Sequence, residues 1–339
     1  MPPRRSLRIV HIGRDSQFLQ FAANVFESVA PGANEYIVVG ASSSGTLHNP
    51  IAHGKVTVVP SSPQGVCALL TRRPECDLIV AHSMSVHAAA AFLRAKSTTA
   101  TMWSGWGFDY YGTDAAKSHE LLAPLTRELE TELTRSARGR RSLPRRALSR
   151  VWSEYERRLI RRAAARSTYF SAPVPVDEQV FRSRFPQFRG RYSQLNYASL
   201  EETFTTASRA KSKSGGVLIG NSASPTNNHL DAFELLACQD LGERRVIVPL
   251  SYGSAAYRDV IVQRGTELFG ANFLPLIERM PLDEYNEVVG NCDTIIMNQR
   301  RQQALGNIGT ALYAGAGIFL DEVNPLYGFL KQQGVSVRP

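Results

Sequence analysis

Residues 217–229 carry the clearest chemical signal in this sequence. They open with an apolar run, residues 217–219, of the kind found in parallel strands that are covered on both faces. Gly220 then permits a sharp turn or a close approach to a ligand, and Asn221 and Ser222 add short polar side chains before a helical pattern begins. Free N–H groups and the dipole at a helix start favour an anion. The segment predicts a phosphate cradle, although by itself it fits an ordinary capped turn equally well.

The elements that would position this turn alternate between strands and helices along the whole chain. Apolar runs predict strands over residues 8–12, 36–39, 56–59, 78–81 and 99–102, and then over 216–220, 245–249, 272–276, 294–297 and 317–320. Helical periodicity predicts helices over residues 16–29, 65–71, 86–95, 147–166, 228–239, 254–268, 282–289 and 304–314. Strands separated by helices build parallel sheets with right-handed crossovers. The sequence therefore predicts an α/β protein.

Chain length and one break in the pattern indicate two domains. A chain of 339 residues exceeds one typical domain, and the stretch 200–215 is polar without apolar periodicity, as a linker is. We predict an N-terminal Rossmann-like domain over residues 1–199, a linker over 200–215 and a C-terminal Rossmann-like domain over 216–339. The two domains are expected to face a common cleft.

Composition narrows the class of protein. A hydrophobic fraction of 43% and a charged fraction of 20% are those of a globular domain. The sequence has no apolar run near the roughly 18 residues that span a bilayer, and its N-terminus leads directly into a strand without a signal-peptide pattern, so we expect a cytoplasmic location. The four cysteines lack Cys-x-x-Cys spacing, which argues against a zinc site or a disulfide framework.

The net charge of +9 is concentrated in residues 135–166, which contain twelve arginines and only two acids. On the helix predicted there, Leu148, Val151 and Tyr155 belong to an apolar face with spacings of three and four. Such a helix suits an anionic membrane surface. It equally suits a linking helix whose apolar face packs in the core while the arginines are solvated. Nucleic acid is not expected, because no recognised binding motif accompanies the charge.

Several motifs of the second half occur in the order and spacing of one enzyme family. They are Ile219-Gly220-Asn221-Ser222 with Asn228-His229; Val248-Pro249-Leu250-Ser251-Tyr252-Gly253; Glu267-Leu268-Phe269; Met280-Pro281-Leu282-Asp283-Glu284-Tyr285; Cys292-Asp293; Arg301-Gln302-Gln303 with Gly306-Asn307-Ile308-Gly309-Thr310; and Asn324-Pro325. The first half adds Trp106-Gly107-x-Asp109-Tyr110 and Val38-Val39-Gly40. With these motifs, which cover most of residues 215–328, the chain resembles glycosyltransferase family 56, the bacterial TDP-4-acetamido-4,6-dideoxygalactose:lipid II transferases.

The resemblance implies a GT-B fold, with the nucleotide-sugar donor held mainly by the C-terminal domain and the acceptor by the N-terminal one. It also implies a peripheral enzyme on the inner face of the cell membrane. Such an enzyme moves a deoxyamino sugar from a TDP-linked donor to a polyprenyl-diphosphate-linked saccharide for surface polysaccharide synthesis. GT-B enzymes generally need no bound metal and no cofactor, and the sequence has no Asp-x-Asp signature.

Two glycine turns then share the donor diphosphate, whose growing negative charge must be stabilised as it leaves. One is the turn at Gly220, Asn221 and Ser222; the other is the helix start at Gly306, Asn307, Gly309 and Thr310. Arg301, Gln302 and Gln303 precede the second turn, where they could contact phosphate or sugar hydroxyls; a solvated helix start is the alternative for the glutamines. Tyr252 is a candidate for stacking on the nucleobase, and a half-buried loop tyrosine is an equal alternative. Glu322 is the candidate for the ribose contact.

Transfer with inversion needs a group that takes the proton of the acceptor hydroxyl. Asp109, just past a predicted strand end, is the first candidate, because loops after parallel strands line the carboxyl edge of a sheet. Asp15, which follows the first strand, is the second, and a helix cap is its alternative. His82 and His229 are further candidates for substrate contacts, although most isolated histidines only bond locally. The aromatic residues Trp106, Tyr110 and Tyr111 could flank a sugar ring.

Two other functions stay open on the sequence alone. The first is a GT-B enzyme that glycosylates a protein or a soluble acceptor, in which case the arginine-rich helix binds that acceptor or packs in the core. The second is a non-catalytic module on a GT-B scaffold that binds lipid or nucleic acid.

Overall fold

The structure, a computed structural model, describes residues 6–40, 47–71, 75–112, 120–139, 143–198 and 215–339. The linker predicted over 200–215 lies outside these ranges except for Gly215. The chain divides into two compact units: residues 1–113 with 143–199, and residues 114–142 with 200–339.

The first unit is built on a sheet whose described strands all pair in parallel. These strands are β1 (Ile9–Arg14), β2 (Asn34–Gly40), β3 (Lys55–Pro60), β4 (Leu78–His82), β5 (Ala100–Ser104), β6 (Tyr169–Ser171) and β7 (Arg191–Tyr192). They lie in the order β3-β2-β1-β4-β5-β6-β7. Long connections are needed to return a parallel strand, and helices supply them here except between β2 and β3, where the described residues 47–54 are not helical.

The helices in chain order run from α1 to α7 in the first two thirds of the chain. They are α1 (Gln17–Val29), α2 (Pro63–Thr71), α3 (Val86–Arg94), α4 (Phe108–Tyr111), α5 (Pro124–Gly139), α6 (Leu143–Arg166) and α7 (Asp177–Arg184). All except α5 belong to the first unit. Aromatic rings fill the core beside β5 and β6, where Phe170 stacks on Phe181 at 3.6 Å and Trp103 meets Phe181 edge-on at 4.8 Å.

The second unit is also a parallel sheet with helical connections. Its strands are β8 (Gly216–Ile219), β9 (Val246–Pro249), β10 (Phe273–Leu276), β11 (Cys292–Met297), β12 (Gly317–Leu320) and β13 (Val337–Arg338), in the order β10-β9-β8-β11-β12-β13. Its further helices are α8 (His229–Ala237), α9 (Ala255–Phe269), α10 (Leu282–Asn291), α11 (Leu305–Ala314) and α12 (Pro325–Gln332). The predicted α/β class, two parallel-sheet domains of the GT-B type, is confirmed.

Helix α5 departs from the predicted domain bounds, since it packs with the second sheet although residues 1–199 were assigned to the first domain. The carboxylate of Asp231 on α8 accepts hydrogen bonds from the backbone N–H groups of Leu125 and Thr126 at 2.9 and 3.0 Å, and from the Thr126 hydroxyl at 2.7 Å. These N–H groups lie in the first turn of α5, where a helix has no internal partners and favours negative charge. Leu129 and Leu133 of α5 pack against the core of the second unit.

The arginine-rich stretch forms the end of α5 and the whole of α6. Residues 135–139, which lie before the helix predicted over 147–166, are also helical, while the following residues 140–142 lie outside the described part. In the C-terminal half of α6, Leu159, Ala163 and Ala164 are buried, and this helix packs against α3. In its N-terminal half, Leu148, Val151 and Tyr155 are exposed. The core-packing interpretation therefore fits only one half of the predicted apolar face. None of the described helices is both long and apolar enough to cross a membrane.

Candidate functional site

The carboxyl ends of β8 and β11 meet at the point where the chain reverses its direction across the second sheet. From β8 the chain proceeds to β9 and β10 on one side, and β11 then returns to the other side of β8. In parallel sheets of this kind, ligands bind in the crevice at such a switch point. The two glycine turns singled out in the sequence follow these two strands.

The turn after β8 has a backbone that only glycine adopts easily. Gly220 has φ +67°, and a Cβ atom there would lie 2.6 Å from Nε2 of His229 and 2.9 Å from Oδ1 of Asn227. A short 3-10 turn (Pro225–Asn227) follows, and α8 begins after Asn228, which adopts φ 52°. The glycine thus lets the chain turn directly against the buried side chains behind it.

The carboxamide of Asn227 organises this turn, and it is fully buried. Its Oδ1 accepts hydrogen bonds from the backbone N–H of Asn221 at 3.1 Å and from Nε2 of Gln299 at 2.7 Å. Its Nδ2 donates to the carbonyl oxygens of Ser222 and Ser224 at 2.8 and 3.1 Å. One side chain thereby links the turn after β8 to the loop after β11.

A second set of side-chain bonds joins the same two loops nearer the surface. Nε2 of Gln303 donates to Oδ1 of Asn221 at 2.8 Å, and the Thr226 hydroxyl donates to Oε1 of Gln303 at 2.9 Å. Nδ2 of Asn221 in turn donates to the Tyr252 hydroxyl at 2.9 Å. The Tyr252 side chain is held by this bond, yet the residue remains 61% exposed, so its ring is available to a ligand at the edge of the sheet.

The second glycine turn places free backbone N–H groups beside a buried arginine. Helix α11 begins at Leu305, has no side-chain cap, and makes its first bond from the Ile308 N–H to the Ala304 carbonyl, which leaves the N–H groups of residues 305–307 without helical partners. Arg301 is only 9% exposed; its Nη1 donates to the carbonyl of Gln302 at 3.0 Å, and its charge acts on Tyr252.

Gly306 and Asn307 thus belong to the first turn of α11, whereas Gly309 and Thr310 lie one turn further on. Helical geometry commits the N–H groups of the second turn to carbonyls of the first. The sequence placed all four at the helix start, and the structure leaves only the first two there. Asn307 is buried, and its side chain contacts other loops of the site: its Nδ2 lies 2.8 Å from the Tyr285 hydroxyl and 3.4 Å from the Gly220 carbonyl.

Three buried polar atoms around these turns lack a hydrogen-bond partner within the described ranges. They are Nε2 of His229, Oε1 of Gln299 and Oε1 of Gln302. Burial lowers the pKa of His229 to about 3, so its ring is neutral. Because a buried polar group without a partner is costly, such atoms mark a place where a polar ligand or water completes the site.

The ribose candidate is less well placed than the other predicted residues. Glu322 is exposed in the turn after β12, while its neighbour Asp321 accepts a hydrogen bond from Nε of Arg300 at 3.0 Å. As a whole, the second unit brings together a buried cation, free helix N–H groups, amide side chains and an exposed aromatic ring. This set can bind a nucleoside diphosphate, with the anion on the N–H groups and Arg301.

In the first unit the corresponding switch point lies between β1 and β4. Asp109 follows β5 and is buried, and its Oδ2 accepts hydrogen bonds from the Met84 N–H at 2.8 Å and Trp103 Nε1 at 2.7 Å. Its Oδ1 accepts one from the Trp106 N–H at 2.9 Å. Burial raises the pKa of this carboxyl, although the same N–H groups act in the opposite direction. Asp109 therefore ties the loops after β4 and β5 together, and its role as a base stays a prediction.

Asp15 follows β1 and holds a neighbouring loop. Its carboxylate accepts hydrogen bonds from the backbone N–H groups of His48 and Asn49 at 2.7 and 3.0 Å, and from Asn49 Nδ2 at 3.0 Å. Burial acts to raise the pKa of Asp15, but these hydrogen bonds outweigh it and lower the pKa. The cap of α1 is Ser16 rather than Asp15. The half-buried carboxylate stays at the carboxyl edge of the sheet, as predicted for a second candidate base.

Two tyrosines and one histidine complete the sequence-predicted set in this unit. The hydroxyls of Tyr110 and Tyr111 donate to the buried Asp177 at 2.5 and 2.6 Å, so both rings are part of the core rather than sugar-binding surfaces. His82 ends β4, is fully buried and has its Nε2 3.0 Å from Nδ1 of His11. Burial lowers the pKa of His82 well below its usual range, and the neighbouring His11 adds to this effect.

Sequence reasoning did not select Asn227, Asn228 or Gln299 as site residues, although Asn228 belongs to one of the family motifs. In the structure these three side chains join the loops of the second unit's candidate site. The side chain of Asn228 donates to the carbonyls of Leu121 and Asn298 at 3.1 and 2.8 Å, and accepts from the Ala123 N–H at 2.8 Å. The signal was the run of two asparagines before a helix, because asparagine tolerates positive φ and bonds to nearby backbone.

Metal binding was expected to be absent. Within the residues that the structure describes, no three His, Cys, Asp or Glu side chains cluster as ligands for a metal ion would. The expectation of a metal-independent reaction stays a prediction.

Comparison with known proteins gives a family match and a set of similar folds. Residues 159–338 match the family model described as 4-alpha-L-fucosyltransferase, glycosyl transferase group 56. The structure of HepE from Anabaena in complex with UDP and glucose superposes with a TM-score of 0.60 at 14% identity, over 95% of this chain and 82% of that one.

Two further structures show the same fold. An alpha,alpha-trehalose 6-phosphate synthase from Burkholderia multivorans has a TM-score of 0.58 at 9% identity, over 96% of this chain and 86% of that one. The lipopolysaccharide outer core galactosyltransferase WaaB has a TM-score of 0.53 at 10% identity, over 93% and 80% of the two chains.

Proposed function

We propose that this chain, which belongs to glycosyl transferase group 56, the 4-alpha-L-fucosyltransferase family, transfers a deoxyamino sugar onto a polyprenyl-diphosphate-linked saccharide. The chain is a glycosyltransferase of the GT-B type, as its family and its structural neighbours show. The proposed donor is a TDP-linked 4-acetamido-4,6-dideoxygalactose or a close analogue. The proposed location is the cytoplasmic face of the cell membrane, in surface polysaccharide synthesis.

The observation that carries the donor proposal is the buried Arg301 beside the uncapped start of α11, opposite the Gly220 turn. In the proposed complex the diphosphate accepts hydrogen bonds from the N–H groups of residues 305–307 and from Arg301, while Tyr252 stacks on the base. HepE, which has the same fold, was crystallised with UDP and glucose, and this supports a nucleoside diphosphate as the leaving group.

We propose that the reaction needs no bound metal. The departing diphosphate gains negative charge in the transition state, and a guanidinium with oriented N–H groups offsets that charge in a site of low polarity. Arg301 and the first turn of α11 are the groups of this chain that would supply the stabilisation.

The membrane proposal rests on the N-terminal half of α6. Leu148, Val151 and Tyr155 are 71%, 67% and 39% exposed, and their spacing places them along one line of the helix. Arg158 and Arg162 continue the same line at the next helical spacings, and both are exposed. An apolar stripe that leads into arginines suits the boundary of an anionic bilayer, where each basic residue near the lipid contributes about 1 kcal/mol.

A thermal-shift screen with TDP, UDP and GDP tests the donor site. We expect the largest stabilisation from TDP, and a ligand at 100 times its dissociation constant stabilises by roughly 2.7 kcal/mol. Arg301→Gln should weaken TDP binding by about tenfold to one hundred and fiftyfold, because a hydrogen bond to a charged group contributes roughly 1.5–3 kcal/mol. The exposed Arg189, which belongs to the first unit, is the control position. Equal binding by Arg301→Gln and Arg189→Gln would reject the proposed diphosphate site.

Flotation with phosphatidylglycerol vesicles tests the membrane surface. Val151→Asp should reduce binding several-fold, because it puts a negative charge into the apolar stripe. Leu235→Asp is the matched control, since Leu235 on α8 is 71% exposed but has no such arginines along its helix. If the wild type stays with the soluble fraction, a protein or soluble acceptor replaces the lipid-linked one.

A further inference from the structure

The switch point of the first unit contains two buried polar atoms of opposite hydrogen-bonding character. Nδ1 of His82, at the end of β4, and Nε1 of Trp106, after β5, both lack a hydrogen-bond partner among the residues the structure describes. The two rings lie 6.5 Å apart between centroids and are tilted by 54°. The indole N–H is always a donor, so the character of the pair depends on which nitrogen of His82 carries the proton.

A chain of hydrogen bonds fixes that proton. Nδ2 of Asn34 donates to Glu27 at 2.7 Å and to the Ala30 carbonyl at 2.8 Å, so Oδ1 of Asn34 must accept from Nε2 of His11, 3.1 Å away. Burial lowers the pKa of His11 to about 4, and in the neutral ring Nδ1 is then bare. Nε2 of His82 therefore donates to Nδ1 of His11 across 3.0 Å. The remaining nitrogen of His82, Nδ1, carries a free lone pair.

A donor and an acceptor without partners, side by side at a switch point, suit a hydroxyl, whose single oxygen both accepts and donates. We propose that His82 and Trp106 form the subsite for the reacting hydroxyl of the acceptor saccharide, which accepts from Trp106 Nε1 and donates to His82 Nδ1. This inference rests on the proposed transfer to a saccharide. It replaces Asp109 with His82 as the group that takes the proton.

The chemical step balances with these two residues and the two substrates. As the acceptor oxygen bonds to the anomeric carbon of the donor, its proton passes to Nδ1 of His82. The bond between that carbon and the diphosphate oxygen breaks, and the electron pair leaves with the nucleoside diphosphate. His82 then returns the proton to solvent, so that the histidine is unchanged after each turnover.

The neighbouring residues fit this role. The backbone N–H of Trp106 is held by Asp109, so the buried carboxylate positions the indole. Phe18 meets Trp106 edge-on at 5.5 Å and Tyr197 at the same distance, and Phe18 is 48% exposed. Phe18 is the exposed ring of this group, and in the proposed complex it moves away from Trp106 when the hydroxyl enters. Its face and that of Tyr197 are then available to the C–H groups of a pyranose.

Nitrogen-15 NMR of the histidine rings tests the subsite without any turnover. In the full chain we expect Nε2 of His82 to be protonated and Nδ1 to be bare. Titration with N-acetyl-D-glucosamine, a simple pyranose, should shift both the Nδ1 signal and the indole N–H signal assigned by Trp106→Phe. A protonated Nδ1, or a titration that moves neither signal, overturns the inference.

Kinetics with TDP-4-acetamido-4,6-dideoxygalactose and a polyprenyl-diphosphate-linked disaccharide separate proton transfer from binding. His82→Asn keeps an acceptor atom near the Nδ1 position but cannot take the proton, so we expect kcat to fall by roughly 10²–10⁴-fold with little change in the acceptor KM. His82→Gln keeps a donor toward His11 and removes the Nδ1 atom, so the acceptor KM should rise as well. Trp106→Phe should mainly raise the acceptor KM, by about two- to tenfold.

A control variant and a measurement of TDP binding distinguish a wrong proton acceptor from wrong substrates. His53→Gln makes the same substitution at an exposed histidine and should leave the kinetics unchanged, while all variants should bind TDP as the wild type does. If His82→Asn turns over as fast as His53→Gln, His82 is not the proton acceptor. If the wild type binds TDP but transfers nothing, the proposed substrates are wrong, and the NMR titration still decides the subsite.

Discussion

Asn227→Ala should loosen the second unit alone, because this one carboxamide joins the two loops of the donor site. The substitution removes the acceptor of two donors: the partly buried N–H of Asn221, and Nε2 of the buried Gln299, whose remaining contact is the weak acceptor Sδ of Met297 at 3.7 Å. An unsatisfied buried donor costs roughly 1–3 kcal/mol, so the pair costs roughly 2–6 kcal/mol. A water molecule can occupy the space of the lost carboxamide and meet part of this demand. We therefore expect a loss of about 2–3 kcal/mol.

Hydrogen exchange measured by mass spectrometry is the appropriate assay, because it reports each unit separately. Amides in β8 and β9 should exchange about 30- to 150-fold faster, since each 1.4 kcal/mol is a factor of ten. The three tryptophans of the chain, Trp103, Trp106 and Trp152, all belong to the first unit. Their fluorescence therefore shows whether the first unit is affected.

Asn272→Ala is the matched control. Asn272 is half-buried, and within the described ranges its side chain makes one bond, an exposed one to the Gly242 carbonyl at 3.1 Å. Exchange should therefore change by no more than about twofold. The reasoning is refuted if Asn227→Ala exchanges like Asn272→Ala, because the hydrogen bonds of Asn227 would then contribute nothing measurable to the donor unit.

Three further predictions concern the two glycine turns, the effect of low pH on stability, and the Asp109 carboxylate. Gly220→Ala should abolish TDP binding and destabilise the second unit, because φ is +67° and the added Cβ would lie 2.6 Å from a buried nitrogen. Gly306→Ala places its Cβ in open space, so it should raise the melting temperature yet weaken TDP binding. Equal effects of the two substitutions would refute this difference. Stability measured by urea unfolding should fall as the pH drops from 6.5 toward 4, by about 1.4 kcal/mol per pH unit for each buried histidine. The reason is that burial lowers the pKa of His11 to about 4 and that of His229 to about 3, so only the unfolded chain binds these protons; His229→Asn should flatten the profile, and an unchanged slope would contradict it. Asp109→Asn should lower the free energy of unfolding by roughly 1–3 kcal/mol, because the NH2 group of asparagine would face an N–H donor that the carboxylate now accepts from. A variant that loses turnover but keeps its melting temperature would instead support Asp109 as a base.

Much of the fold was predictable because most of its strands are apolar runs and most of its helices show helical periodicity in the sequence. Every predicted strand and helix is present in the structure, with ends that differ by a few residues. The sequence did not predict β6, β7, β13, α4, α5, α7 and α12. All of these have eight residues or fewer except α5, which has 16. Strand β6 has only three residues and β7 only two, too few to display a period of two.

The location of α5 was not predictable from local pattern. Its sequence shows no preference for either sheet, and what attaches it to the second unit is a bond over about one hundred residues, between Thr126 and Asp231. Long-range contacts of this kind have no signature in a window of sequence. The same limit applies to Asp109, whose carboxylate accepts hydrogen bonds from residues 84, 103 and 106. The sequence showed that a carboxylate follows a strand end, but it did not show that these three donors already bind it.

The proposed donor site was easier to predict than the acceptor site because its residues lie in two short segments of the sequence. Gly220 and the helix start near Gly306 each follow a strand, and parallel strands bring their ends to one edge. The roles of Gln299 and Asn227 required the side-chain directions, which no spacing reveals. In the first unit the informative feature was Nδ1 of His82, which has no hydrogen-bond partner in the described part of the chain, and only the structure displays it.

The position of α5 also determines which segments of this enzyme must be exchanged together in a chimera. The unit that would bind the donor is discontinuous in the chain, since residues 114–142 belong to it and residues 143–199 do not. A chimera that exchanged only residues 216–339 would transplant Asn228 and Asp231 without the backbone groups of residues 121–126 that they bind. If the second unit binds the donor as proposed, a chimera should acquire donor specificity only when residues 114–142 are exchanged together with residues 216–339.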